Sequence, residues 1–306
     1  MHHRTLALDD DLVHVVDDRS WIANPSETLH AVERARSRQM IITARDVGSR
    51  PASLSLLPLI EPDLIFLASE STGRTSDAQT ARIAHALAAH TERTGAVIVA
   101  CGVDSEQHRT TALSLGATFG TGALFPGSES PTPLRDSSAR THISSTWSTP
   151  TTLSTSPFQI AASTGAVKTS RKSLLIEMST HIEWQAGSAG QETMLLGTFQ
   201  HARHFGGRAS ERWNSLAERM AYTGVCGTGM PAGVDSLIHS APLDPEDPLT
   251  TEWNVVVLAP HFCCVLSAKD LFRGSAENNR EFDYVVSHDR STVVRCARTI
   301  LHRFAG

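Results

Sequence analysis

The chain has 306 residues, 40% of them hydrophobic, and a formal net charge of −5 at pH 7. This length favours about two domains, each with an apolar core of its own. With 27 Lys and Arg against 32 Asp and Glu, the chain lacks the basic excess of a nucleic-acid-binding surface. The sequence contains no run of about 20 apolar residues, so it predicts no membrane-spanning helix. The five cysteines show no metal-binding spacing, so we expect a reduced, cytoplasmic protein.

Short apolar runs alternate with helical patterns over roughly residues 1–127. Asn24 and Pro25 are typical of a helix start, and Gly95 and Gly116 are typical of helix ends. A series of this kind predicts a parallel sheet with right-handed crossovers. The predicted strands are 12–16, 40–44, 64–67, 96–100 and 119–124, and the predicted helices are 25–37, 54–57, 76–94 and 104–115.

The composition changes after residue 127. Residues 128–156 are rich in Ser, Thr and Pro and poor in aliphatic residues, so we interpret them as a linker in which Ile143 and Trp147 could dock onto a neighbour. Residues 157–306 read as a second, smaller α/β domain. Its predicted helices are 170–186, 210–220 and 291–304, and its predicted strands are 193–199, 222–226, 254–258 and 282–286.

Three ordered segments of the first region share the spacing of one known family. HVVDDRSWIANPSETLHAVERARS, IITARDVGSRPASLSLLPLIEPDLIFLA and ACGVDSEQHRTTALSLGATFGTGALFPG resemble segments of EAL domains, which are cyclic di-GMP phosphodiesterases. An intact EAL domain is a complete β/α barrel, and the resemblance begins near the middle of that barrel. It therefore implies a truncated (half) β/α barrel of EAL type over residues 1–127, with four or so β/α units.

The resemblance also implies that the active site is lost. Hydrolysis by two divalent metals needs several converging oxygen ligands, and of these only Asp46 remains, as a relic of the metal site. We therefore expect no catalytic residue, no metal, no cofactor and no phosphodiesterase activity. The family's other functional positions fall on Val15 (or Asp17 if the register slips by two), Arg45, Phe66, Ala68, Cys101 and Thr121.

Two of these positions have simpler explanations than a site. Cys101 ends a barrel strand, where catalytic residues lie in this architecture, but no activating base is identifiable and an inert thiol is favoured. Asp46 is more simply a loop or helix cap than a ligand. A half-barrel also leaves two unpaired sheet edges, and we favour dimerisation or covering by the rest of the chain as the solution.

Four segments of the second region resemble the DICT domain. They are KSLLIEMSTHIEWQA, GTFQHARHFGGRASERW, EWNVVVLAPHFCCVLSAKDL and FDYVVSHDRSTVVRCARTILHR. The family is associated with diguanylate cyclases and two-component systems and is regarded as sensory. An EAL domain followed by a DICT domain is a known bacterial arrangement, notably in actinobacteria, so the resemblance implies a signalling protein.

Several residues of this second domain are candidates for ligand binding. In α/β sheets the ends of central strands are favoured ligand positions, and His261 follows the strand rich in valine. The alternative is that the histidines hydrogen-bond to backbone within loops. Arg203, Arg208 and Arg212 could meet an anion, although surface arginines are usually solvated. The candidate ligand-binding residues are His201, His204, Trp253 and His261.

Two functions remain open at this stage. The first is a non-catalytic signalling protein whose DICT domain senses a small-molecule ligand or a signalling partner. Its degenerate EAL module would then serve docking or dimerisation, with a homodimer formed through the half-barrel. The second is a phosphodiesterase-related enzyme or a cyclic di-GMP receptor, which would need the missing half of the barrel from another chain.

Overall fold

The computed structural model describes residues 13–74, 77–125, 131–134, 155–235, 237–274 and 279–304. The chain forms two compact units, one of Met1–Ile22 and Thr28–Thr149 and the other of Ala23–Glu27 and Pro150–Gly306. Two separate sheets and the helices around them confirm the predicted α/β class.

The first sheet has six strands whose order in space follows their order in the chain. The first five strands are parallel and the sixth is antiparallel, as expected of an opened portion of a β/α barrel. The strands are β1 (Val13–Val16), β2 (Ile41–Val47), β3 (Leu64–Leu67), β4 (Val97–Ala100), β5 (Phe119–Gly120) and β6 (Thr132–Pro133). The helices are α1 (Asp18–Ala23), α2 (Pro25–Ser37), α3 (Pro51–Ile60), α4 (Ser69–Thr72), α5 (Ala78–Thr94) and α6 (Glu106–Ser114).

Local capping fixes the ends of the predicted helices. Asn24 Oδ1 accepts a hydrogen bond from the Glu27 backbone N–H at 3.0 Å, so Asn24 caps α2 as predicted. Asp77 accepts from the Thr80 N–H at 2.7 Å and begins α5. Gly95, with φ of 70°, ends this helix in the left-handed conformation that favours glycine.

A buried ion pair links the end of α2 to the residue before β3, and a hydrogen bond from β2 joins it. Asp63 Oδ2 lies 2.6 Å from an Arg36 terminal nitrogen and also accepts the Ile42 N–H at 2.7 Å. Both charged side chains are almost fully buried. Removal of one partner would leave an uncompensated buried charge, so this pair has a structural role.

The last parallel strand is shorter than predicted. It ends at Gly120 because the chain turns at Gly122, where φ is 150° and an added Cβ would lie 2.5 Å from the Val103 backbone nitrogen.

Part of the predicted linker belongs to the sheet, which corrects the sequence interpretation. Thr132 and Pro133 pair with β5, and Leu134 is 1% exposed. Proline has no N–H to offer a further strand, so Pro133 blunts this edge of the sheet. Ile143 and Trp147 lie outside the described residues.

The second sheet has eight strands in the order β10-β11-β9-β8-β12-β13-β14-β7. Its strands are β7 (Lys168–Arg171), β8 (Met194–His201), β9 (Tyr222–Thr228), β10 (Gly233–Asp235), β11 (Ile238–Pro242), β12 (Glu252–Leu258), β13 (Cys263–Arg273) and β14 (Glu281–Ser287). Its helices are α7 (Pro157–Thr164), α8 (Lys172–Ser188), α9 (Arg208–Ala217) and α10 (Arg290–Leu301), with 3₁₀ turns at Ala202–His204 and Pro248–Thr251.

Helices cover both faces of this sheet. Val255 and Val257 of β12 belong to the apolar core formed with α8 and α9. Because alternate strand residues point to opposite faces, Val256 faces the other side, where α7 and α10 contact β12 and β13. The result is a three-layer α/β/α arrangement.

Several elements of this unit differ from the prediction. The predicted helix 170–186 begins at Lys172, because Lys168–Arg171 pair with β14 as an edge strand instead. The sequence interpretation also missed α7, β10, β11 and β13. The edge strands β7 and β10 are polar or short, so their existence depends on pairing partners distant in sequence.

A buried polar cluster fixes α7 on the sheet. Asn254 Nδ2 donates to Thr198 Oγ1 at 2.8 Å, and Ser267 donates to Asn254 Oδ1. Glu252 accepts the backbone N–H of Phe158, in the first turn of α7, at 3.1 Å. Burial raises the pKa of the Glu252 carboxyl, although hydrogen bonds to it oppose that effect.

Candidate functional site

The first candidate site lies where the parallel strands of the first sheet end. Arg45 and Asp46 are at the end of β2 and Phe66 is in β3. Cys101 and Thr121 follow directly after β4 and β5. In β/α barrels the catalytic and ligand-binding residues lie at the carboxyl ends of the strands. These five side chains therefore determine whether this edge can bind a metal or a substrate.

Two of the replaced side chains contact each other. The guanidinium carbon of Arg45 lies 5.9 Å from the centroid of the Phe66 ring, within the range of a cation–π interaction worth about 0.5–1 kcal/mol at an exposed site. The resemblance assigns these two positions to a metal-binding carboxylate and a catalytic lysine. In this chain the Arg45 guanidinium lies over the Phe66 ring, where the resemblance leads us to expect a carboxylate beside a lysine.

The thiol of Cys101 is not activated. Burial raises its pKa most, and the Asp46 carboxylate raises it further, whereas a hydrogen bond with Thr121 and the charge of Arg45 lower it. The net effect keeps the thiol protonated near neutral pH, and a protonated thiol is a weak nucleophile. The raised pKa of the thiol therefore favours the inert interpretation of Cys101.

The carboxylates nearest this edge have local roles. Asp46 has a φ of 54°, and its carbonyl oxygen accepts from the Ser49 N–H at 3.2 Å and from Ser49 Oγ at 2.6 Å. Asp17 caps α1 by accepting the N–H groups of Arg19 and Ser20 at 2.9 and 2.8 Å. The backbone hydrogen bond from Ser20 is the main cause of the lowered pKa of Asp17.

The chain after β4 passes close to α4. Gly102 has a φ of 69°, and an added Cβ would lie 2.8 Å from the Cβ of Ser69. Thr72 Oγ1 donates to the carbonyl oxygen of Cys101 at 2.9 Å. This close approach and the left-handed backbone both favour a glycine at position 102.

The donor set does not fit two divalent cations. Asp46 offers a carboxylate at this edge, but Arg45 brings a positive charge beside it, and the carboxylate of Asp17 caps α1. Mg²⁺ and similar ions need several oxygen ligands in a defined geometry. The residues present here do not meet that requirement.

The second candidate site is a cavity of about 250 Å³ within the second unit. Helix α8 forms one wall, the second sheet forms the floor, and α9 together with the 3₁₀ turn closes one end. We call it the α8 cavity. It is lined by Lys172, Ile176, Ser179, Glu183, Phe199, Gln200, His204, Ala209, Arg212, Trp253 and Phe282.

The wall residues follow one stripe of α8. Lys172, Ile176, Ser179 and Glu183 are spaced by four, three and four positions, which places them on the same helix face. At about 1.5 Å rise per residue the stripe extends roughly 16 Å. The cavity is therefore an elongated slot that runs across several strands.

Aromatic rings from three strands form the floor of the slot. Phe199 on β8 and Trp253 on β12 are direct cross-strand partners, and the rings of Trp253 and Phe282 are 6.4 Å apart in an edge-on arrangement. Behind Phe199, Trp213 packs at 5.4 Å over Gly197, whose added Cβ would lie 2.6 Å from the indole. Such rings favour a planar apolar guest.

An irregular strand end brings polar groups to the slot. The register of β8 shifts between Thr198 and His201, and Gln200 has a φ of 48°. Bulges commonly re-aim side chains next to sites. Gln200 Nε2 lies 3.5 Å from an Asp270 carboxylate oxygen, and Asp270 is ion-paired with Arg280.

One end of the slot carries an ion pair. Arg212 Nε lies 2.9 Å from the carboxylate of the buried Glu183, and another guanidinium nitrogen of Arg212 donates to the Arg208 carbonyl at 3.2 Å. A guanidinium has five N–H donors. Arg212 therefore keeps donors that have no partner among the described residues.

The structure brings together two of the four predicted ligand residues. His204 and Trp253 both line the α8 cavity. His204 Nδ1 lies 3.3 Å from the Phe199 carbonyl, and its Nε2 accepts from Arg203 Nε at 3.3 Å. Both ring nitrogens of His204 therefore lie within hydrogen-bonding distance of neighbouring groups.

The other two predicted residues, His201 and His261, do not line this cavity. His201 is exposed and its Nδ1 accepts the Arg203 N–H at 3.1 Å, which is the loop role given as the alternative. His261 follows the carboxyl end of β12, whereas Trp253 is near the amino end. A strand of seven residues separates those ends by about 20 Å.

Sequence reasoning missed most of the cavity wall. The one available signal was the interruption of an apolar stripe on α8 by Lys172, Ser179 and Glu183 at helical spacing. Phe282 gave no such signal, because its place beside Trp253 depends on how β12, β13 and β14 pair.

Comparisons with known families match both halves of the chain. The EAL domain model matches residues 3–128. The DICT model, described as a sensory domain in diguanylate cyclases and two-component systems, matches residues 153–271. The chain therefore carries an EAL domain followed by a DICT sensory domain. Together these domains indicate cyclic di-GMP signalling.

Solved structures are similar to part of the chain. BlrP1 of Klebsiella pneumoniae, in a complex with manganese and cyclic di-GMP, is 23% identical over 40% of this chain and 31% of its own, with a TM-score of 0.34. The PaMucR phosphodiesterase in a cyclic di-GMP complex is 20% identical over 40% of this chain and 53% of its own, with a TM-score of 0.33. The chain thus spans well under two thirds of either protein.

No curated protein matches the chain. Across the part of the chain that the structure describes, no helix combines the length and apolar character needed to cross a membrane.

Proposed function

We propose that this chain is a non-catalytic, cytoplasmic signalling protein. Its DICT domain senses a small molecule in the α8 cavity, and its EAL half serves docking or dimerisation. The observation that carries the proposal is the α8 cavity itself, which combines an aromatic floor with charged side chains at both ends of its α8 wall. Concave, mostly apolar sites with a few polar groups are typical of small-molecule binding.

The lack of catalysis is supported by the strand-end edge of the first sheet. Incubation of the full chain with cyclic di-GMP and Mg²⁺ or Mn²⁺ should give no linear dinucleotide by chromatography, because one carboxylate cannot hold two metals. The matched control is Asp46→Asn, which should behave identically. Hydrolysis by the wild type that is absent from Asp46→Asn would contradict the proposal.

Binding without hydrolysis is tested separately. Calorimetric titration with cyclic di-GMP, with and without Mg²⁺, is expected to show no binding at micromolar concentrations. Tight binding to the EAL half would instead make the chain a receptor for that nucleotide.

The sensory role is tested by blocking the α8 cavity. Ala209, in the first turn of α9, lines the cavity, so Ala209→Leu should fill part of it. Fractions of a small-molecule extract from the native host should include one that raises the melting temperature of the wild type. A ligand at about 100 times its Kd adds about 2.7 kcal/mol to the unfolding free energy.

Two results bear on this test. Ser215→Leu, on the exposed side of the same helix, should keep the response and Ala209→Leu should lose it. An equal response from both variants would place the ligand outside the α8 cavity and overturn this part of the proposal.

Binding alone does not make the protein a sensor. A ligand switches the protein only if it binds two conformations unequally.

A further inference from the structure

We propose that the α8 cavity binds a small aromatic or conjugated oxyanion, with the anionic group at the Lys172 end and the ring on the floor of Phe199, Trp253 and Phe282. This inference rests on the sensory role proposed above and names the chemical class of the ligand.

The charges that line the slot favour an anion. Lys172 and Arg212 are cationic and Glu183 is anionic, so the lining side chains carry one excess positive charge. At the Arg212 end the two opposite charges meet at 2.9 Å and largely offset each other. A ligand anion is therefore expected at the Lys172 end, away from this offset pair.

The position of Lys172 does not serve the stability of its own helix. It is the first residue of α8, and the preceding Arg171 provides no side-chain cap. A cation at this end opposes the helix dipole, which favours negative charge there. Lys172 already interacts with other groups of the domain, and its ammonium has three donors, so it can also take a ligand oxygen.

The shape of the slot selects a flat guest of modest size. Its volume of about 250 Å³ is below the roughly 300–1,000 Å³ of pockets for drug-sized ligands, which favours one or two fused rings. Such a ring on the aromatic floor lies near Gln200 and His204, whose polar groups can orient further substituents.

The test compares an aromatic acid with its neutral amide. Indole-3-carboxylate and indole-3-carboxamide have the same ring and nearly the same shape, and each is titrated into the full chain at low salt, where charge effects are least screened. The carboxylate should bind the wild type at least tenfold more tightly. Lys172→Gln should remove that difference and leave the affinity for the amide unchanged.

Matched variants locate the effect. Lys168→Gln removes the same charge from an exposed site on β7 and should keep the tenfold preference. Retention of the tenfold preference in Lys172→Gln would place the anion elsewhere in the slot and overturn the assignment.

The remaining outcomes separate this inference from the sensory proposal. If acid and amide bind equally and Ala209→Leu blocks both, the inference about charge is wrong and the cavity remains a ligand site. If neither binds at millimolar concentration, the inference is also wrong, and the response to host extract decides the sensory role independently.

Discussion

Arg45 and Phe66 stand at two positions of the EAL fold where the resemblance places a metal-binding carboxylate and a catalytic lysine. Both replacements could be identified from the sequence, because order and spacing align the segments around them. Their mutual contact at 5.9 Å could not, because it depends on the register of β2 against β3. The pairing of β4 with β5 places Cys101 and Thr121 within hydrogen-bonding reach, a contact that local sequence does not reveal.

Cys101 should react slowly with alkylating reagents. Burial raises its pKa, so the thiolate fraction at pH 7 is below that of an ordinary cysteine. Time-resolved alkylation with iodoacetamide, followed by peptide mass spectrometry, should give a slower rate than glutathione, and the rate should rise with pH. A faster rate than glutathione would mean that the thiol is activated, contrary to the inert interpretation.

Glu252 should make stability depend on pH. Burial raises its folded-state pKa, so its contribution to stability is full below the ordinary glutamate pKa of about 4.3 and is lost as pH rises through the folded-state value. The Glu252→Gln variant cannot ionise. Its unfolding free energy in urea, relative to wild type, should therefore increase from pH 4 to pH 8, and a constant difference would show that Glu252 does not titrate in this range.

At the scale of elements, the amphipathic helices and buried parallel strands were predictable and the edge strands were not. Helices α2 and α5 carry caps and apolar periodicity in their own sequence, so their positions follow from local signals. Strand β7 is polar and exists only because Lys168–Arg171 pair with β14. The α8 cavity shows the same limit of sequence-based prediction. Trp253 was predicted from the residues around it in the sequence, whereas Lys172 and Phe282 reach the cavity only through the tertiary structure.

The packing of α9 on β8 should be sensitive to one methyl group. Gly197→Ala would place a Cβ 2.6 Å from the Trp213 indole and 2.7 Å from Phe199, and overpacking of this kind costs about 1–3 kcal/mol. Urea denaturation should show that loss of unfolding free energy. Gly206→Ala is the control, because its added Cβ would meet only the Arg203 carbonyl at 3.8 Å.

At the scale of the whole molecule, the two units differ in how much apolar surface of their sheets is covered. The DICT unit has helices on both faces of its sheet and an apolar core. In the EAL unit, β1 is an edge strand of the sheet as described and Val15 is 44% exposed. An exposed apolar side chain on the outermost strand of the described sheet is suited to association.

Self-association should therefore depend on Val15 if the EAL half is a dimerisation module. Sedimentation of the wild type should show a dimer whose dissociation constant rises at least tenfold in Val15→Asp. Val167→Asp, at a comparably exposed valine of the DICT unit, should leave it unchanged. Identical masses for the wild type and both variants would rule out dimerisation through this edge and leave docking to another protein.

The most direct test of the account is native mass spectrometry of the full chain purified from its own host. The account predicts a non-covalently bound small molecule on the wild type and on Ser215→Leu, and its absence from Ala209→Leu. A wild-type protein that carries no added mass at native metabolite concentrations, or one whose added mass survives in Ala209→Leu, would contradict a sensory role for the α8 cavity.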